Sequence, residues 1–313
     1  MKKVSIIIPL YNLEKLIGKC IASALAQDLS PEEYEILVID DGSTDGSLAA
    51  AEKAAQGHPN VHVYTKPNEG LSRTRNYGTD RAAGRYVMYL DADDYLEPNV
   101  LGHLVETMEC GGLDMLCFEI AGIDENGNDV PLWSDGISAG NGSDVQRGVD
   151  FLQRDRFLPM VYAYLYSQEM LDANSLRMAP IWHEDEEFTP RVLLQAQRVV
   201  LTGQEIYYYD NCRAGSITHA EGLSTRRVQD RLRIYDSLAE IYRTVTPRAL
   251  RRRLQDDLCW KYLDCAARFD CRTLPGYRPQ RLRMLQFACT PRRRAKAALF
   301  ALSPELFRRV MNH

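Results

Sequence analysis

No stretch of the 313-residue chain approaches the roughly 18 consecutive apolar residues that a membrane-spanning helix needs. Eight cysteines include no C-x-x-C pair, which removes zinc ribbons and thioredoxin-like redox chemistry. There is no G-x-S-x-G elbow, no H-E-x-x-H and no Walker loop. The first apolar run is followed by Tyr11-Asn12 rather than a glycine fingerprint, which argues against a dinucleotide oxidoreductase. Internal repeats and low-complexity tracts are also missing. The start, Met1-Lys2-Lys3, is charged like the head of a signal peptide. However, Val4–Leu10 contains Pro9, soon meets Asn12, Glu14 and Lys15, and is followed by no small-residue cleavage site. A cytoplasmic protein with reduced thiols is expected, the gaps Cys259–Cys265–Cys271 fitting helix packing better than zinc.

What is present describes an ordinary globular chain. Hydrophobic residues make up 45%, charged residues 26%, and the mean hydropathy is -0.34, values that exclude disordered, collagen-like and disulfide-scaffold classes. The net charge of -5 conceals two unlike parts. Residues 221–313 hold 21 Lys+Arg against 9 Asp+Glu, leaving 17 against 34 for residues 1–220. An acidic body suits carboxylates that hold a metal. A basic tail with Arg251–Arg253 and Arg292–Arg294 suits either an anionic partner or solvated helix faces.

Strands and helices alternate along the first part. Strands are expected at Lys3–Pro9, Glu35–Ile39, Val61–Thr65 and Tyr86–Leu90. Between them, Leu13 to Leu25, Ser47–Gln56 (with Asp45 as cap) and Leu71–Ala82 have helical spacing. Such alternation implies a doubly wound α/β sheet, parallel over this part, whose ligands bind beyond the carboxyl ends of the strands. The unusual polar residues, Tyr11-Asn12, Asp40-Asp41 and Asp91-Ala92-Asp93-Asp94, fall at those ends. From about residue 113 the pattern is mixed. Strands are expected at Leu113–Ile120, Tyr162–Tyr166 and Glu205–Tyr209, a loop over 124–144 and a helix over Glu184–Gln197. Beyond about residue 224 the texture is helical and Arg-rich, broken at Pro247, Pro275, Pro279, Pro291 and Pro304.

Asp91 and Asp93, two carboxylates at i and i+2 directly after a strand, can offer oxygen ligands to a hard divalent cation that bridges substrate phosphates. In order before them come Ser5-Ile-Ile-Ile-Pro9-Leu-Tyr11-Asn12, Val38-Ile-Asp40-Asp41-Gly42-Ser43-Thr44-Asp45 and Asn68-Glu-Gly70-Leu-Ser-Arg-Thr-Arg75-Asn76. With these motifs the chain resembles the family 2 glycosyltransferases, densely over residues 3–98 and more loosely to about residue 220.

The resemblance implies a GT-A type fold, a doubly wound, Rossmann-like mixed sheet with a C-terminal helical extension. It also implies inverting sugar transfer of hexosyltransferase type from a nucleotide-diphosphate sugar, with uridine the expected base. Pro9 and Tyr11 match the base pocket. Asp41 matches the carboxylate that bonds the base, although capping the following turn would also employ it. Gly70, Arg75 and Asn76 match the loop beside the ribose and diphosphate, with Thr74 where the family usually has Ala. Asp91 and Asp93 match the Mn²⁺ or Mg²⁺ site, Asp93 as the direct contact. Inverting transfer needs a general base, and Asp185, in His183-Glu-Asp-Glu-Glu-Phe188, matches the family's E-D pair; helix-dipole acids are the bland alternative. Gln195 to Val199 resembles an element of processive synthases but lacks its Trp, so one sugar per encounter is expected.

The expected layout is a catalytic domain over 1–220, with a donor part over 1–112 and an acceptor part over 113–220, followed by a basic helical extension over 221–313. The acceptor would be a surface glycan or lipid-linked saccharide, with no nucleic acid involved. The extension would hold a cytoplasmic enzyme against an anionic membrane surface, on the inner face of the cell membrane, or against a partner protein; docking of its apolar residues onto the catalytic body is the bland alternative. Two other readings are a nucleotidyltransferase, whose Gly-rich triphosphate loop is missing, and a non-catalytic nucleic-acid binder.

Overall fold

In the computed structural model, residues 1–124, 129–130, 144–154, 159–210, 224–270, 272, 281 and 283–311 are described. Most of the expected 124–144 loop, Cys271, Pro275 and Pro279 lie outside them. The chain forms two compact units, one of residues 1–180 and 188–216, the other of 181–187 and 217–313.

The first unit is built on one sheet. Strands β1 (Val4–Leu10), β2 (Tyr34–Asp40), β3 (Val61–Thr65) and β4 (Tyr86–Tyr89) run parallel in the order β3-β2-β1-β4. All seven residues of β1 and of β2 are buried, as parallel strands covered on both faces should be. Helix α1 (Ile17–Leu25) buries Ile17, Cys20, Ile21 and Ala24. Helices α2 (Ser47–Ala55) and α3 (Leu71–Thr79) follow β2 and β3. Ile6, Ile8, Ile21, Val38, Met88 and Leu104 meet in the core, the last from α4 (Leu101–Gly111).

Beyond β4 the sheet becomes mixed. Short β5 (Tyr95–Leu96) pairs antiparallel with long β9 (Val199–Asp210). β8 (Tyr164–Ser167) runs antiparallel to both β4 and β6 (Met115–Ile123), and β6 runs parallel to β9 through a register shift between Cys117 and Ile120. β7 (Asp129–Val130) edges β6. Helices α5 (Gly148–Arg154), α6 (Gln168–Ala173) and α7 (Glu184–Gln195) complete the connections.

Several element ends differ from expectation. Helix α1 begins at Ile17 rather than near Leu13, because Asn12 adopts a left-handed φ of 53° and Leu13–Leu16 close a turn. Helix α3 ends at Thr79 instead of Ala82. Gly46 rather than Asp45 is the N-cap of α2, although Asp45 still accepts the Ser47 N–H at 3.0 Å. Helix α7 ends at Gln195, and Asp114 accepts the following Gln197 and Arg198 amides at 2.6 and 3.1 Å.

The second unit contains α8 (Thr225–Arg243), α9 (Arg248–Arg268), α10 (Pro291–Leu302) and α11 (Pro304–Met311). Ser224 and Thr290 cap α8 and α10 by accepting the Arg227 and Arg293 amides. Of the apolar residues in the last segment, Ala297, Phe300 and Phe307 are buried, the Phe300 ring lying 6.1 Å from Tyr262 and 5.1 Å from Phe307. Arg293 and Lys296 sit over the Trp260 ring at 4.7 and 4.6 Å. Much of the amphipathic character of the terminal segment therefore serves this unit's own packing. Leu302, Leu306 and Val310 remain exposed.

Candidate active site

The carboxyl edge of β1–β4 collects most of the expected residues. Register pairs Leu10 with Asp40 and Asp40 with Thr65, so the loops after the three strands begin level with one another. Pro9 is buried within β1, and the Tyr11 side chain just beyond is 46% exposed. The neighbouring loops are laced together: Asn12 N–H donates to Ser43 Oγ at 3.0 Å, and Thr44 N–H donates to Asn12 Oδ1 at 2.8 Å.

Asp41 is only 4% exposed, and its carboxylate is occupied by the protein itself. It accepts the Glu69 and Gly70 amides at 2.9 and 2.8 Å and forms an ion pair with buried Lys66. The side chain that the family resemblance aims at a base thus organises the 66–70 loop, while the turn after Asp41 is held instead by Asp40, which accepts the Ser43 N–H at 3.2 Å. Gly42 permits the loop to come close: its φ is +70°, and a Cβ there would sit 3.0 Å from Asn68 N. Gly70 also has a left-handed φ, +91°, where α3 starts.

Arg75 and Asn76, expected in the loop beside the ribose and diphosphate, both find partners within the protein. Arg75 is 3% exposed and its guanidinium pairs with Asp91. Asn76 spends both ends of its amide on one residue, donating to Met178 O at 2.8 Å and accepting Met178 N–H at 2.9 Å. It thereby ties α3 to the chain leading out of α6.

The Asp91-Ala92-Asp93-Asp94 turn follows β4. Asp91 and Asp93 are half-buried, whereas Asp94 is 2% exposed. Tyr207, on β9, donates its hydroxyl hydrogen to Asp94 Oδ2 at 2.5 Å and accepts the Asp91 N–H at 3.2 Å. Asp210 N–H donates to Asp94 Oδ1 at 3.0 Å. Burial, with the Asp93 and Asp91 charges beside it, pushes the Asp94 carboxyl well above the usual range, against the pull of Tyr207 and the Asp210 amide. Burial likewise raises the Cys20 thiol, which lies 3.5 Å from Asp91 O. Asp94, Tyr207 and Lys66 are the members that the sequence reading missed. Asp94 stood inside the quoted acidic run, while Tyr207 and Lys66 gave no local signal.

Among the described residues no set of three or more His, Cys, Asp or Glu side chains is arranged to hold a metal. Of the carboxylates at this edge, Asp91 and Asp93 are the half-buried pair in the turn after β4. That suits a Mg²⁺-like ion completed by substrate oxygens and water rather than a cage made wholly of protein.

Asp185 lies in the first turn of α7, within the second unit. Glu186 N–H donates to Asp185 Oδ1 at 2.9 Å, and His183, just before the helix, has a left-handed φ of 61°. Burial, reinforced by the Arg231 charge, lowers the His183 imidazole below its ordinary value.

Residues 5–160 match the model of Glycosyl transferase family 2. The uncharacterized glycosyltransferase EpsJ of Bacillus subtilis (strain 168) is 32% identical over 209 residues, covering 66% of this chain and 60% of that protein. The poly(ribitol-phosphate) beta-N-acetylglucosaminyltransferase TarS of Staphylococcus aureus (strain Mu50) is 28% identical over 218 residues, 69% of this chain and 36% of that one. The match thus spans less than two thirds of either relative's length. The crystal structure of S. aureus TarS 1–349 in complex with UDP-GlcNAc superposes with a TM-score of 0.76 at 22% identity, over 98% of this chain and 89% of that chain. The GT-A type fold, with its mixed sheet and C-terminal helices, is thereby shown.

Proposed function

We propose that this chain, a member of glycosyl transferase family 2 through residues 5–160, moves a sugar from a nucleotide-diphosphate sugar to an acceptor hydroxyl in polysaccharide synthesis. The observation that carries the reading is the carboxyl edge of β1–β4, where exposed Tyr11, the braced 66–70 loop and the Asp91/Asp93 pair converge.

In this reading the Tyr11 ring stacks on the base of the donor, and a uridine nucleotide is favoured by likeness to TarS. Asp41 acts indirectly, by holding the loop that borders the nucleotide. Asp91 and Asp93 would hold a Mn²⁺ or Mg²⁺, which supplies charge neutralisation to the departing diphosphate. Arg75 fixes the Asp91 carboxylate and offsets part of the charge of the acidic turn. Asp185 takes the proton of the acceptor hydroxyl as that oxygen attacks the anomeric carbon. The bond to the diphosphate breaks on the opposite face, so configuration inverts. Residues 113–220 are assigned to the acceptor, a surface glycan such as a phosphate-linked polyol polymer, or a lipid-linked saccharide.

The test is nucleotide release from a panel of UDP- and GDP-sugars, with and without Mn²⁺. We expect one UDP-sugar to be cleaved in a divalent-dependent way, and Asp93→Ala to remove the metal dependence of its binding. Equal calorimetric affinity with and without metal, in wild type and variant alike, would take Asp93 out of the site. Release of pyrophosphate from a nucleoside triphosphate would instead make the protein a nucleotidyltransferase.

No helix among the described residues is long and apolar enough to cross a membrane. The membrane contact expected from the sequence is proposed at Leu302, Leu306 and Val310, exposed at four-residue spacing beside Arg309. Such contact would hold the enzyme at the cytoplasmic face. Co-sedimentation with phosphatidylglycerol vesicles should fall with salt and be lost in Leu302→Asp/Leu306→Asp. Equal pelleting of that variant would end the idea.

A further inference from the structure

The turn that carries Asp185 is fastened to the helices that follow it in sequence. Trp182 N–H donates to Asp230 Oδ2 at 3.4 Å, and the Arg227 guanidinium lies 4.9 Å from the Trp182 ring. Ser237, on α8, donates to Glu187 Oε1 at 2.9 Å, and Lys261, on α9, donates to Glu186 Oε2 at 2.9 Å. All of these residues belong to the second unit.

Such fastening answers two local difficulties. His183 holds a left-handed φ of 61°, a conformation that a residue with a Cβ keeps only when its surroundings impose it. In addition, four acids, Glu184 to Glu187, stand in the first turn of α7, where the helix dipole favours each of them, yet Glu184 and Glu187, three residues apart, repel. Burial works to raise the Glu186 carboxyl, but the charge and hydrogen bond of Lys261, together with the Arg231 and His183 charges, bring it below the ordinary glutamate value.

Successive helical residues project about 100° apart, so fixing the direction of Glu186 fixes that of Asp185. We propose that Lys261 is a positioning residue for the transfer reaction: by holding Glu186 it sets the rotation of the first turn of α7 and hence the aim of the Asp185 carboxylate. The inference rests on the reading of Asp185 as the base. It gives the C-terminal helices a part in turnover, beyond that of a surface appendage.

The test uses the full chain with Lys261→Met, Lys261→Arg, Glu186→Gln and Asp185→Asn. Turnover is followed as nucleotide release from whichever of UDP-glucose, UDP-galactose, UDP-GlcNAc and GDP-mannose the wild type cleaves. Lys261→Met keeps the aliphatic stem and removes the charge. It should lower kcat by about ten- to a hundredfold, the scale of an ångström-sized misplacement, with KM for the donor unchanged. Lys261→Arg should restore most of the loss, and adding Glu186→Gln to Lys261→Met should cost nothing more. A second measurement needs no substrate: amide hydrogen exchange should quicken over residues 183–187 in Lys261→Met, while β4 keeps its protection.

Wild-type kcat and exchange in Lys261→Met, with Asp185→Asn inactive, would overturn the positioning role alone. Parallel loss of kcat, donor KM and melting temperature without rescue by Arg would overturn it too, by making Lys261 merely structural. Full activity in Asp185→Asn would instead overturn the reading of the base, and so is told apart from both.

Discussion

Asp185→Asn is expected to lower turnover by about two to four orders of magnitude, the usual contribution of a positioned general base, with nucleotide-sugar affinity unchanged. Carboxylate and amide are nearly isosteric. An asparagine Oδ1 can still accept the Glu186 N–H that Asp185 accepts at 2.9 Å, so the first turn of α7 should survive. What is lost is basicity: an amide cannot take the acceptor's proton. The check is a pair of measurements on one preparation, calorimetric affinity for UDP and steady-state nucleotide release. Near-wild-type turnover would move the base to Glu184, since Glu186 is already bound to Lys261.

Asp41→Ala is expected to cost about 3–5 kcal/mol of stability, the range seen when one partner of a buried ion pair is removed. Lys66 is 9% exposed. Without Asp41 its ammonium keeps only Pro67 O at 3.3 Å and Glu69 at 3.4 Å, the latter on a carboxylate 42% exposed. The amides of Glu69 and Gly70 lose their acceptor at the same time. Calorimetric unfolding should show the loss in the transition of the N-terminal unit, and affinity for UDP should fall with it because the 66–70 loop is no longer held. A change under about 1 kcal/mol, the usual limit for an exposed pair, would mean that Lys66 escapes to solvent and that the pair is not buried in effect.

The gathering of polar residues at the carboxyl edge of β1–β4 was legible in the sequence because its grammar is short-range. Each of β1 to β4 is an apolar run closed by polar punctuation, and the residues that matter stand within a few positions of the strand end. The protein partners of Arg75 and Asn76 were not legible, since these are Asp91 and Met178, the latter 102 residues from Asn76. Tyr207 reads as an ordinary strand tyrosine until Asp94, 113 residues earlier, is seen to accept from it. Only the end of β9 could be read from its pattern. Its polar middle, Thr202 to Glu205, breaks the apolar run, and the pairing with β6 shifts register near there. In the last helices the apolar spacing was visible, but what Phe300 and Phe307 face was not. Periodicity marks a face without naming the surface that covers it.

Tyr207 also bears on how such a chain could be recombined. The acidic turn after β4 hangs from β9 by the Tyr207 hydroxyl and the Asp210 amide, while Glu97 N–H donates to Ile206 O at 2.9 Å just beyond it. A chimera joined near residue 112, donor half from this chain and the rest from a relative, would inherit the acids without the strand that suspends them. A graft that exchanges acceptor preference while keeping the donor turn intact must therefore carry β9 along with β5. The block that suspends the acidic turn is discontinuous in sequence, residues 4–96 together with 206–210.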